Sequence, residues 1–120
     1  MTEKKPAAQP QANALYFETN GSQLDENSMD LLDQYGRMLV ADPKMTITIS
    51  GHTDERGSTE FNLALGDARA RAARSYLMNL GVQRHQIHTL TLGEERPAVV
   101  GDDEEAWAKN RRDEMALTVE

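Results

Sequence analysis

The run Met45-Thr46-Ile47-Thr48-Ile49-Ser50 alternates apolar and polar residues without a break, and its middle four positions are all β-branched. Successive strand side chains point to opposite faces. This run therefore commits the chain to a sheet with one apolar and one polar face, covered on one side. Gly51 closes the strand, and the period then changes. From about Glu60 to Leu80, the residues Leu65, Ala73, Tyr76, Leu77 and Leu80 share one helical stripe. Asp67, Arg71, Arg74 and Met78 share the opposite one, and Gly81 stands where a helix ends.

The same two periods order the rest of the chain. Leu15 and Phe17 suggest a short strand, followed by the turn residues Asn20-Gly21-Ser22. Met29, Leu32, Gly36, Leu39 and Val40 mark one face of a helix that Asp42-Pro43 terminates. Further on, Ile87 to Leu92 reads as a strand, Gly93 and Pro97 as a turn, Asp103 to Lys109 as a short helix, and Met115, Leu117 and Val119 as a last strand. The order is β-α-β-α-β-(short α)-β. This predicts an α/β sandwich, with a mixed four-stranded sheet, helices on one face and an antiparallel final strand. Residues 1–13, rich in Lys, Pro, Ala and Gln, read as a flexible tether, and residues 14–120 as a single domain.

Composition removes several functions. Thirteen basic against twenty acidic side chains give a net charge of −7, which repels a polyphosphate backbone, so nucleic acid is not an expected partner. The absence of cysteine excludes disulfides and thiolate metal sites. Neither a His-Glu-x-x-His spacing nor a Gly-x-Ser-x-Gly motif is present, so no metal, cofactor or catalytic residue is expected. No apolar run is long enough for a signal peptide or membrane span, and the chain as written reads as soluble.

The segment Gly51-His-Thr-Asp-Glu-Arg-Gly57 follows the clearest strand, and loops leaving the carboxyl ends of strands are where open α/β sheets place ligands. Arg69 lies four residues from both Leu65 and Ala73, so it projects from the inward stripe of its helix. A buried guanidinium needs an opposite charge or a solvated cleft, and Asp54 is the carboxylate that chain order brings nearest. Asn62 lies two turns earlier on that stripe. Carboxylate, fork and amide together suit a zwitterionic amino-acid head group, but an internal Asp54–Arg69 ion pair accounts for the pattern as well.

The run from Gly51 to Ala70 contains a Thr-Asp pair followed by Asn-x-x-Leu-(small)-x-x-Arg-Ala, with Asn62, Leu65, Gly66, Arg69 and Ala70 in place. It resembles the signature of OmpA-like peptidoglycan-binding domains. The Asp-Glu-Arg-Gly loop, Gly93-Glu-Glu-Arg-Pro-Ala-Val-Val-Gly and Trp107-Ala-Lys-Asn-Arg-Arg are most similar to the peptidoglycan-associated lipoprotein branch of that family, and the likeness runs from about Leu15 to Arg112. The resemblance implies noncovalent binding of the diaminopimelate residue of a peptidoglycan stem, with Asp54 and Arg69 as principal ligands. Asn62 would support the pocket, Thr53 and Leu65 would line it, and Phe17, Glu18, Thr19 and Asn20 would form an opposite wall. It also implies a basic residue near the pocket from the Arg111-Arg112 pair, a TolB-like periplasmic propeller protein as partner, and a place at the periplasmic face of the outer membrane.

Three positions depart from the family pattern. Glu18 replaces a more usual Asp. Asp113 and Glu114 stand where apolar strand residues usually follow, so the last strand is expected to start later or to lie at an exposed edge. The family's lipid-bearing N-terminal cysteine has no counterpart, so the chain is expected to be a soluble or processed form with Met1 added. Two rival functions are a periplasmic protein-interaction module without wall contact and a peptidoglycan hydrolase.

Overall fold

The structure, a computed structural model, describes residues 5, 6, 10 and 12–119. Its elements are β1 (Lys5–Pro6), β2 (Ala14–Tyr16), α1 (Glu26–Ala41), β3 (Met45–His52), α2 (Thr59–Asn79), a 3-10 turn (Arg84–Gln86), β4 (Ile87–Gly93), α3 (Glu104–Asn110) and β5 (Arg112–Val119). β5 inserts antiparallel to β3 on one side and to β1 and β2 on the other, while β4 lies parallel to β3 at the far edge. Since β1 and β2 share one edge, the sheet is four strands wide, mixed, and of the expected order. Most of residues 1–13 lie outside the described residues. Lys5–Pro6, however, pair with Val119 and Thr118, and the Asn13 carbonyl accepts from Met115 N–H at 2.9 Å, so the edge of the sheet extends upstream of Ala14.

Each helix begins on a side chain that meets an otherwise unpaired N–H. Asp25 accepts from Ser28 N–H at 2.8 Å, Ser58 from Phe61 N–H at 3.0 Å and Asp103 from Ala106 N–H at 2.9 Å. The alternation in β3 sends Met45, Ile47 and Ile49 into a core shared with Leu15, Met115 and Leu117 of the sheet and Leu32, Tyr35, Leu39, Ala73 and Leu77 of the helices. The inward faces are rotated slightly from the expected stripes. In α1 the buried set is Ser28, Leu31, Leu32, Tyr35, Gly36 and Leu39, leaving Val40 exposed. In α2 it is Asn62, Gly66, Arg69, Ala70, Ala73 and Leu77, with Leu80 at the surface. Real helix–sheet contacts centre on small residues that allow close approach, and apolarity alone does not reveal where that centre falls.

The last strand departs from expectation. It begins at Arg112 and is interior, because its backbone is hydrogen-bonded on both sides and the pairing outweighs the polarity of Asp113 and Glu114.

α2 crosses β3 at Gly51 and Gly66, where a Cβ added to Gly51 would overlap the Gly66 carbonyl. The small residue in the Leu-(small)-x-x-Arg motif is thus a crossing point that sets the height of α2 over the sheet. Gly51→Ala is expected to lower stability by about 2 kcal/mol through backbone displacement. A urea midpoint unchanged from the parent would contradict this contact.

Candidate functional site

The carboxyl end of β3, the turn after β2, the first half of α2 and the start of β5 meet at one end of the sheet. Arg69 is the largest fully buried side chain there, at 0% exposure. Its Nε donates to the Gly21 carbonyl at 2.7 Å, one Nη to the His52 carbonyl at 2.8 Å and the other to the Glu18 carbonyl at 3.0 Å. The guanidinium also lies over the Phe17 ring, 5.1 Å from its centroid. Burial pushes its pKa down to about 10, partly offset by the charges of Asp113 and Asp54, so it remains a cation at neutral pH.

An internal Asp54–Arg69 ion pair, one of the two readings that the sequence leaves open, is not what the structure contains. Asp54 turns instead to Arg56, whose Nη2 donates to it at 2.8 Å, whose Nε donates at 3.2 Å and whose backbone N–H donates at 3.0 Å. Arg111 Nη1 stands 3.7 Å away on the other side. The physical reason is proximity: Arg56, two residues on in the same loop, satisfies Asp54 before the more distant helix can. Burial alone would raise the Asp54 carboxyl, but the Arg56 hydrogen bonds and the charges of Arg56 and Arg111 outweigh it and hold the group below its ordinary pKa. Arg56 makes further contacts. Besides Asp54 it reaches the Thr19 hydroxyl at 3.2 Å and lies over the Trp107 ring, 4.1 Å from its centroid. Trp107 in turn donates from Nε1 to Glu55 at 3.1 Å, so it belongs to this rim more than to the core.

The other expected residues divide into those gathered here and one that is not. Thr53 is buried, and its hydroxyl donates to the Asp54 carbonyl at 3.0 Å. Asn62 donates to Glu94 Oε1 at 3.0 Å and to the Asp54 carbonyl at 3.4 Å, joining the loop after β4 to the loop after β3. Leu65 is half-buried on α2. Phe17 is in the core, while Glu18, Thr19 and Asn20 form an exposed turn closed by Gly21 N–H on the Glu18 carbonyl at 2.9 Å, with Asn20 at φ 58°. Arg111 donates to the Phe17 carbonyl at 2.8 Å and to Glu104 at 2.9 Å, tying the turn, α3 and Asp54 together. Arg112 is a correction. Strand alternation sends it to the opposite face of the sheet, where it meets Glu114 at 2.6 Å and the Arg96 carbonyl at 3.0 Å.

A cavity of about 170 Å³ opens beside this cluster, lined by Thr53, Glu55, Glu94, Pro97, Val99 and Asn110 among others. A larger apolar groove of about 470 Å³, between α1 and the far end of α2 at Gly36, Val40 and Leu80, lies well away from these charges. Among the described residues, no group of three or more His, Asp or Glu is arranged to hold a metal ion, and no helix is long and apolar enough to cross a membrane.

Residues 16–111 match the OmpA family. The chain is 42% identical over 108 residues to the peptidoglycan-associated lipoprotein of Pasteurella multocida (strain Pm70), a match covering 90% of this chain and 72% of that protein. It is 43% identical over 100 residues to the peptidoglycan-associated lipoprotein of Pseudomonas putida, covering 83% of this chain but only 60% of that longer protein. Among solved structures, the peptidoglycan-associated lipoprotein from Burkholderia pseudomallei superposes with a TM-score of 0.86 at 40% identity, over 88% of this chain and 90% of that one. The C-terminal domain of Helicobacter pylori MotB shares the fold, with a TM-score of 0.81 at 20% identity over 91% and 86% of the two chains.

Two measurements follow from the geometry. Arg69→Met leaves the carbonyls of Gly21, Glu18 and His52 without their donors and is expected to cost about 3 kcal/mol in denaturant unfolding. His52, buried beside Arg112, has its pKa lowered by burial first and by Arg112 second, from 6.5 to about 4. Because the unfolded chain takes up that proton more readily, the stability His52 contributes is complete above pH 6.5 and is lost as pH falls through about 4. The loss is on the order of 3 kcal/mol, and unfolding midpoints of His52→Gln should lack this acid step.

Proposed function

From the chain's membership of the OmpA family, and within it of the peptidoglycan-associated lipoproteins, we propose that it grips peptidoglycan noncovalently at the Asp54–Arg69–Arg111 rim. The ligand is the diaminopimelate residue of an uncrosslinked stem peptide. In the whole protein an N-terminal lipid holds the domain at the periplasmic face of the outer membrane, which the grip then ties to the wall. A TolB-like propeller protein is the second partner, as in a Tol–Pal system.

The observation that carries this reading is the charge arrangement at one end of the sheet: an ionised Asp54 flanked by Arg56 and Arg111, with Arg69 beneath. An ammonium group can take the place of Arg56, whose side chain is 38% exposed. A carboxylate can replace the Glu18 and Gly21 carbonyls on Arg69, because both belong to the exposed turn over it. Binding then exchanges hydrogen bonds and creates few new ones, so a monomeric stem binds with modest affinity. No bond of the ligand is broken, and purified sacculi should release no soluble fragments.

One observation favours a second reading, in which the domain serves only protein partners: Asp54 and Arg69 already have internal partners, and Arg69 has no exposed surface. Calorimetric titration with a diaminopimelate-containing stem peptide separates the two. We expect saturable heats, weakened about tenfold or more by Asp54→Asn and by Arg69→Lys, which keeps the charge but loses the fork. Heats that survive both substitutions unchanged would reject this site, and no heat at all alongside propeller binding would establish the second reading.

A further inference from the structure

Asp113 is the one buried acid that the site as described does not use. It is the second residue of β5, and the alternation that turns Met115 and Leu117 inward puts it on the helix-covered face with Arg69. Its exposure is 0%, and neither carboxylate oxygen has a hydrogen-bond partner among the described residues. Its register partners are Leu15 on β2, an apolar side chain, and Gly51 on β3, which has none. α1 adds the apolar Leu31 and Leu32 to that core. The charge that acts on Asp113 comes from the site: it is Arg69 on α2. Of the carboxylates acting on Arg69, Asp113 exerts the stronger pull, ahead of Asp54.

A buried carboxylate with no hydrogen bond is costly unless it is neutral or serves a cation. We propose that Asp113 is a positioning residue for Arg69 that sets how strongly Arg69 holds an anionic ligand. Ionised, Asp113 is an internal counter-charge that competes with an incoming carboxylate; protonated, it leaves the guanidinium free to take one. Burial raises its pKa well above the ordinary value, with Arg69 only partly opposing. The inference rests on the reading of Arg69 as the seat of a ligand carboxylate. It also gives a role to the departure at this position, where the family pattern has an apolar residue.

The sign of the effect follows from linkage. A ligand carboxylate on Arg69 removes the cation from Asp113 and adds a like charge, so the bound state holds the Asp113 proton more tightly than the free state. Binding therefore draws a proton from solvent, and affinity declines as pH rises through the pKa of free Asp113, by at most about tenfold per unit for one proton. The test is calorimetric titration of the diaminopimelate-containing stem peptide between about pH 5 and about pH 9, in buffers of different ionisation enthalpy. The parent chain should show buffer-dependent heats and an alkaline loss of affinity. Asp113→Asn and Asp113→Val, checked for folding by thermal melting, should bind without buffer dependence and with a flatter profile. The proposal is overturned if the parent takes up no proton, or if a folded variant keeps the parent's pH slope. If the parent binds no stem peptide at any pH, the proposed wall-binding function falls first and this inference with it.

Discussion

Everything at the working end of this domain is organised around a guanidinium withdrawn from water. Arg69 has no exposed surface, and removing such a group from solvent costs several kcal/mol unless acceptors replace the lost hydration. They come from three backbone carbonyls, two on the turn after β2 and one at the end of β3. One side chain thereby fixes the distance between a turn, a strand end and the middle of α2. The Gly51–Gly66 crossing makes this possible, because only a close approach of helix to sheet lets the fork reach all three.

Around that centre the charges alternate. Asp54 lies between Arg56 and Arg111, Arg111 reaches Glu104, and Arg69 feels the charge of Asp113, whose carboxylate has no hydrogen-bond partner among the described residues. The net charge of the chain is −7, yet this end of the sheet concentrates three guanidinium groups. The local field at the rim is thus set by a few placed side chains, guanidinium groups and carboxylates together.

The element order was legible because two periods, two and about 3.6, change at Gly51, Asp42-Pro43 and Gly81. The inward direction of Arg69 was legible for the same reason, from its spacing to Leu65 and Ala73. Its partners were not, because backbone carbonyls carry no residue identity and so leave no mark in a sequence. Arg56 escaped notice as the Asp54 partner because side chains in an irregular loop obey no period. Arg112 is the first residue of β5 and Arg111 the cap of α3 before it, and only where the strand begins and how it pairs decides which of the two reaches the rim. The interior position of β5 is hidden in the sequence for a related reason: Asp113 and Glu114 look like an edge, and only the backbone pairing on both sides reveals otherwise.

The placement of β1 has a mechanical meaning. Lys5–Pro6 pair beside Val119, at the end of β5 farthest from Arg112, whereas Asp54 and Arg69 gather at the Arg112 end. A pull applied through the N-terminal segment and resisted at the rim would run lengthwise down the strands. The hydrogen bonds that join β2, β5 and β3 would then be strained together, in shear, and none would be peeled off singly. If the rim is where the wall is held, as proposed, such a sheet resists traction best along the axis that joins β1 to that rim.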